Sequence, residues 1–403
     1  MKISILSNLY PPAVLGGAEL SAAFTAQELA TRGHQVSIIT IADRDSTSDE
    51  NGLKIHRIRS RPFYSPFYSK KRPGWMKPAW HAVDAYNPWM ASRVKRILLE
   101  ERPAVLHCHN LAGFSVGVWD SARDAAVPVV QHLHDYHLVC IKATLMDDHL
   151  NPCPAGHFPC SLRAARHFRK LSSEVCQVIS PSTFCAEKVF SFADDACSIP
   201  PVSIIPNGTD YAGRAAVTGD WEAARFRVLY LGALFEHKGF LVLKSMIERV
   251  NALPNRYEFD IGGTGPLEPM ARELADRYPN VRFHGFVGGD AKHRLFREAH
   301  LFFFPSVWLE NNPVSITEAL AMGLPVLGSD TGGVPELLSP LSTELLFAPG
   351  SVDAACAKLA AFEGDRSLLA KVSKSLLACR EDYSLARQVD RLVEVYRVAA
   401  EGA

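Results

Sequence analysis

Short apolar runs alternate with segments of helical periodicity along most of this chain, the pattern of strands and crossover helices in a parallel sheet. In the first half the runs fall at Ile3 to Leu6, Val36 to Ile41, Val105 to Leu106, Val127 to Val130 and Val175 to Ile179. The segment from Ala18 to Arg32, closed by Gly33, predicts a helix after the first of them. A second series begins at Arg227 to Leu231 and continues at Tyr257 to Ile261, Val281 to Phe283, Leu301 to Phe304 and Pro325 to Gly328. Each series predicts one doubly wound half. Between them Asn207 to Ala224 is rich in Gly, Asp and Ala with little apolar periodicity, which predicts a linker. From Tyr383 onward, Leu385, Val389, Leu392, Val393 and Tyr396 share one face of a terminal helix.

A chain of 403 residues is too long for one ordinary core, and 47% hydrophobic residues suffice to fill two. Lys and Arg total 43 and Asp and Glu total 43, so no whole-surface field favours nucleic acid, and none is expected as a partner. Charge is uneven locally. From Lys54 to Pro78 there are eight Lys or Arg and no Asp or Glu, interleaved with Phe63, Tyr64, Phe67, Tyr68 and Trp75. No apolar run approaches the roughly 20 residues of a membrane span, and the opening MKISILS reads as a strand, so a cytoplasmic protein is expected. Nine scattered cysteines fit that compartment better than a disulfide framework.

The densest chemistry lies between His300 and Leu338. An apolar strand ends at Pro305, a polar loop follows, and Pro313 opens a helix that stops at Gly323. The free N–H groups of such a helix start attract anions, phosphate above all. Glu310 and Glu318 flank that start, eight positions apart. Carboxylates beside a phosphate site make electrostatic sense when they bind hydroxyls of the same ligand, and a sugar nucleotide offers both groups.

The ordered set Pro305-Ser306, Glu310, Glu318-Ala319, Ala321, Gly323, Pro325-Val326, Gly332-Gly333 and Pro335-Glu336 resembles the signature of family 4 glycosyltransferases, retaining enzymes of the GT-B fold. The resemblance implies an α/β chain of two Rossmann-like domains with a deep cleft between them and a C-terminal helix crossing back to the first. The corresponding boundaries are 1–206 for an acceptor-side domain, 207–226 for a linker, 227–382 for a nucleotide-sugar domain and 383–403 for the terminal helix. It further implies a nucleotide-diphosphate sugar as donor, a hydroxyl acceptor, and no metal or other cofactor.

Residue by residue, the resemblance assigns Gly16 and Gly17 to a loop facing the donor diphosphate, and His134, within His134-Asp135, to the donor sugar. Lys238, before Gly239 at a helix start, corresponds to a diphosphate clamp, while Ala233 stands where the family usually carries a second cation, Arg. His237 could add charge there. Gly263 and Gly265 lie in a loop suited to close ligand approach, and Phe286 and Val287 stand where relatives hold the nucleobase. Because Pro313 has no N–H, phosphate would meet the amides of Asn312, Val314 or Ser315. Glu310 would bind sugar hydroxyls and Glu318 the ribose.

Other clusters have plainer readings. His107 and His109 occupy a strand end and read as core or loop scaffolding. Cys140, Cys153 and Cys160, with His137, His149 and His157 nearby, lack paired Cys-x-x-Cys ligands and read as a loop rather than a zinc site. Asp43-Arg44-Asp45 reads as a solvated turn. The expected function is therefore transfer of a sugar to a hydroxyl acceptor in bacterial surface polysaccharide or glycolipid assembly. Residues 54–78 read either as a solvated loop with a few packed rings or as an anionic interface, peripheral to a membrane, that a lipid-linked or polyanionic acceptor would explain. A GT-B epimerase and a non-catalytic sugar-nucleotide binder are the alternatives.

Overall fold

The computed structural model describes residues 1–13, 16–62, 76–147, 151–153, 158–195, 197–217, 219–251 and 256–402. The chain divides into two compact units, Met1–Pro206 with Gln388–Ala403, and Asn207–Arg387. The first is built on an eight-stranded sheet of β1 (Lys2–Ser7), β2 (Gln35–Ala42), β3 (Ser46–Glu50), β4 (Leu53–Arg59), β5 (Val105–Asn110), β6 (Val129–His132), β7 (Gln177–Ser180) and β8 (Val202–Ile204). Its order is β3-β4-β2-β1-β5-β6-β7-β8, parallel except where β3 pairs antiparallel with β4. The near-continuous burial of β1 and β2 is that of parallel strands covered on both faces.

The second unit has six strands, β9 (Phe226–Leu231), β10 (Tyr257–Gly262), β11 (Val281–Phe283), β12 (Leu301–Phe304), β13 (Val326–Ser329) and β14 (Leu346–Phe347). They run in the order β11-β10-β9-β12-β13-β14, all parallel. In each sheet the winding reverses once, at β1/β5 and at β9/β12. Ligands of open α/β sheets bind beyond the strand ends at such switch points.

All ten sequence-derived strands are present, while β3, β4, β8 and β14 are additional. The terminal helix Leu385–Glu401 buries Val389, Leu392, Val395, Tyr396 and Ala399, with Val395 rather than Val393 fully covered. From Gln388 it counts with the first unit. Residues 207–226, expected as a linker, are assigned to the second unit instead. Thr209 exchanges backbone hydrogen bonds with residues 383–385 (Thr209 N–H to Tyr383 O and Leu385 N–H to Thr209 O, both 2.9 Å), and Val217 N–H reaches Met322 O at 3.0 Å. Backbone hydrogen bonds and a few scattered apolar side chains, Tyr211, Val217 and Trp221, tie this stretch to the second unit's core, and so irregular a spacing leaves no period to read.

Candidate active site: donor groups of the second unit and a histidine cluster in the first

The donor candidates of the second unit gather at its switch point. β12 is four buried apolar residues ending at Pro305, and the loop beyond it delivers Glu310. Glu310 is buried, and its Oε1 accepts from Lys238 Nζ and from Ser306 Oγ, each at 2.7 Å. Lys238 ends the short 3-10 turn Glu236–Lys238 that follows β9. Gly239 comes next at φ 73°, and a Cβ there would stand 1.8 Å from the Pro305 carbonyl oxygen. Only glycine lets the β9 turn press against the β12 loop this closely. Lys238 Nζ also lies 4.5 Å from the centre of the Trp308 ring, a cation–π contact that orders the ammonium.

Glu310 is followed by the helix Val314–Ala321, capped by Pro313, whose first amides have no intrahelical partner. Val314 and Ser315 are partly accessible at that start. Asn312 is instead built into the fold, its Oδ1 accepting from Asn207 N–H and its carbonyl from Asn207 Nδ2, both at 3.0 Å. One turn into the helix, Glu318 is buried and its Oε2 accepts from Lys292 Nζ at 2.5 Å. Burial raises the Glu318 pKa, against the pull of Lys292. Lys292 escaped the sequence reading because nothing in the charged helix Gly289–Glu298 distinguishes it from Arg294 or Arg297.

The remaining donor positions divide. Gly263 sits at φ 147°, where a Cβ would meet the Gly232 carbonyl oxygen at 1.8 Å, and its N–H donates to Gly285 O at 2.7 Å. Gly263 therefore stitches the loops after β9, β10 and β11 together rather than turning an amide outward. At Gly265 a Cβ would stand 2.5 Å from the Leu234 carbonyl oxygen. Phe286 is 81% exposed, an uncommon state for a phenyl ring, beside half-buried Val287. His237 does not replace the missing Arg, since burial and then Lys238 push its pKa below the ordinary value and leave the ring neutral near pH 7.

In the first unit, Gly16 precedes the helix Gly17–Thr31, and its N–H donates to Glu19 Oε2 at 2.9 Å. His134 Nε2 lies 2.7 Å from His109 Nδ1, and its ring stacks on His132 with centroids 4.0 Å apart. Burial lowers the His134 pKa to about 4, so the ring is a neutral imidazole near pH 7. The Asp135 carboxylate accepts from Asn110 Nδ2 at 2.9 Å and from His137 N–H at 2.8 Å, while His109 contacts the His134 ring. His137 is bound to Asp84 Oδ2 at 2.8 Å, next to Arg163, which places it in an ion network rather than with the cysteines. All nine cysteines are free. His149 and His157 lie outside the described residues. In the Asp43–Asp45 turn, Asp45 pairs with Arg93 at 2.7 Å. Residues 63–75 of the cationic aromatic stretch also lie outside the described residues. Among those described, no helix is long and apolar enough to cross a membrane.

The family model described as Glycosyltransferase Family 4 matches residues 15–212, and that described as Glycosyl transferases group 1 matches residues 225–365. An uncharacterized glycosyltransferase of Methanocaldococcus jannaschii, MJ1607, is 27% identical over 84% of this chain and 83% of its own. Two shorter matches cover about a third of this chain. An uncharacterized 42.6 kDa protein in the cps region of Klebsiella pneumoniae is 32% identical over 34% of this chain and 38% of that protein. The putative colanic acid biosynthesis glycosyltransferase WcaL of Salmonella typhimurium is 27% identical over 34% of this chain and 35% of its own. Among solved structures, Anabaena HepE in complex with UDP and glucose superposes with a TM-score of 0.70 over 98% of this chain and 99% of that one, at 17% identity. With both halves matched in order and the two-sheet architecture shared, the chain belongs to the group 1, family 4 glycosyltransferases of the GT-B fold.

Proposed function

We propose that this protein is a retaining glycosyltransferase that moves a sugar from a nucleotide-diphosphate donor to a hydroxyl acceptor. The observation that carries this reading is the Lys238–Glu310 pair beside the open start of the helix Val314–Ala321. In the reaction the bond from the sugar C1 to the diphosphate oxygen breaks, its electron pair stays on the diphosphate, and the acceptor oxygen bonds to C1 as its proton passes to the released diphosphate or to water. Negative charge grows on the diphosphate and positive charge on the ring. Lys238 and the Val314 and Ser315 amides meet the first, and the Glu310 carboxylate binds sugar hydroxyls and faces the second. Glu318 holds the ribose, and Phe286 with Val287 holds the base. In the first unit the Gly16-Gly17 loop and His134 serve the donor sugar and diphosphate, His134 as a neutral hydrogen-bond donor. UDP bound by HepE and colanic acid assembly by WcaL support a nucleotide donor and a polysaccharide or glycolipid pathway.

The test is incubation with UDP-, GDP- and ADP-sugars and a panel of hydroxyl acceptors, read by nucleotide release and product mass. Transfer predicts release that depends on the acceptor. Release without acceptor, or isomerised sugar, would favour the epimerase, and binding without release a non-catalytic role. Because Lys238 and helix amides carry the diphosphate charge, turnover in buffer without added magnesium or manganese should match that with them. A lipid-linked or polyanionic acceptor at residues 54–78, at the cytoplasmic face of a membrane, predicts sedimentation with anionic liposomes that replacing Arg59, Arg61, Lys70, Lys71 and Arg72 by Gln reduces.

A further inference from the structure

The carboxyl ends of β5 and β6 set three imidazoles on one face of the first unit's sheet. His107 and His109 alternate to the same side of β5, and the register that pairs His107 with Val130 carries His109 to His132. The three side chains are 0%, 2% and 0% exposed. One ring nitrogen of each lies within 4.8 Å of those of the other two. His107 Nε2, His109 Nε2 and both ring nitrogens of His132 have no hydrogen-bond partner although all are buried. Leaving such a group unpaired costs about 1–3 kcal/mol, and three together are not ordinary core histidines. His167 shows the ordinary case, with Leu138 O at 2.9 Å and Ala85 O at 3.2 Å on its two nitrogens. The opposite nitrogens of two of the three are held, His107 Nδ1 by Tyr396 Oη and His109 Nδ1 by His134 Nε2, each at 2.7 Å. Metal-ligating histidines are built this way, one nitrogen toward the ion and the other fixed by an outer partner.

We propose that His107, His109 and His132, all in the first unit, bind one divalent transition ion of the zinc type. Three neutral imidazoles suit zinc, cobalt, nickel or copper and not magnesium. A tetrahedral ion with bonds of about 2.0–2.1 Å sets its ligand nitrogens about 3.3 Å apart, so binding draws together nitrogens that lie within 4.8 Å of one another. A cavity of about 10 Å³ bordered by His109, His132 and His134 has room for roughly one water-sized body, such as the ion's fourth ligand. The ion ties β5 to β6. With His109 Nε2 on the metal, its Nδ1 must carry the proton toward His134 Nε2, which leaves the His134 proton on Nδ1. The site thereby sets the tautomer of His134.

The experiment uses untagged full-length protein, dialysed against metal-free buffer and analysed for metal, then stripped and titrated with Co²⁺ and Zn²⁺. The proposal predicts about one ion per chain as purified, a visible Co²⁺ absorption band displaced by Zn²⁺, and a rise in Tm with Zn²⁺. His132→Gln and His109→Gln should each lose at least tenfold in affinity, while Cys140→Ser and Cys153→Ser keep the band. A native protein that purifies with less than about a tenth of an ion per chain and gives no Co²⁺ band would overturn the site, whether or not the variants fold. A band lost with the cysteines and kept by the histidine variants would also overturn it, and would move the metal to the cysteine loop.

Discussion

Lys238 Nζ and Glu310 Oε1 form a 2.7 Å ion pair in which the carboxylate is almost fully covered and the ammonium about a quarter exposed. A diphosphate that engages this lysine must share it with Glu310, and Ser306 keeps the carboxylate in place when the lysine turns toward phosphate. On the proposed function the two residues act as one unit whose charge is redistributed as the donor bond breaks. Lys238→Ala and Glu310→Gln should each lower kcat at least tenfold, about 1.4 kcal/mol of transition-state stabilisation. Far-UV dichroism of both variants should match the parent. Near-normal turnover in both, with folding intact, would remove the pair from the mechanism.

Glu318 presents the opposite electrostatic case. Its pKa is raised by burial despite Lys292, so between its unfolded value, about 4.3, and its folded one the native state binds more protons than the unfolded chain. Stability falls as pH rises through that window. Glu318→Gln should therefore raise Tm by about 2 °C or more at pH 7 and leave it unchanged near pH 3. The same variant should weaken nucleotide binding roughly tenfold by calorimetry, since a charged acceptor for the ribose hydroxyls is gone. A lower Tm at pH 7 would show that Lys292 outweighs the cost of burial.

The buried Asp84 network makes a pH prediction of the other sign. Burial would raise the Asp84 pKa, but His137 and Arg163 override it and hold the carboxyl well below the usual range. Its contribution is complete above the unfolded value of about 3.9 and is lost as pH falls toward the folded one. Asp84→Asn strands Arg163 among buried groups and should cost about 3–5 kcal/mol in urea unfolding at pH 7. The loss should shrink below pH 3. A cost under about 1 kcal/mol at pH 7 would mean that water reaches Arg163 and the network is not sealed.

Apolar strands and the Glu310-to-Glu336 motif were readable because burial and ligand chemistry each leave a sequence period. The misses have physical causes. β3 carries only polar residues, and its one signal was Asn51-Gly52, at φ 53° and 77°, the pair that suits a tight hairpin turn. Lys292 and Trp308 acquire roles only through contacts made by folding. The histidines were visible as letters, but their convergence depends on the β5–β6 register, and short strands do not reveal which neighbours they take. The Gly263 amide, expected to face a ligand, is occupied by the Gly285 carbonyl, a partner that only the fold supplies.

Phe286 offers the cleanest separation of binding from folding. At 81% exposure its ring contributes little to the core, so Phe286→Ala should leave the unfolding midpoint within about 0.5 kcal/mol of the parent. Stacking of a base on an aromatic ring is worth about 1–3 kcal/mol, so loss of the ring should raise the Kd of the donor nucleotide by roughly tenfold. Turnover at saturating donor should change little, because the base is remote from the bond that breaks, and the effect should appear in KM. Phe286→Trp should restore affinity if stacking is the interaction. An unchanged Kd in the Ala variant, with nucleotide binding otherwise measurable, would place the base elsewhere in the second unit.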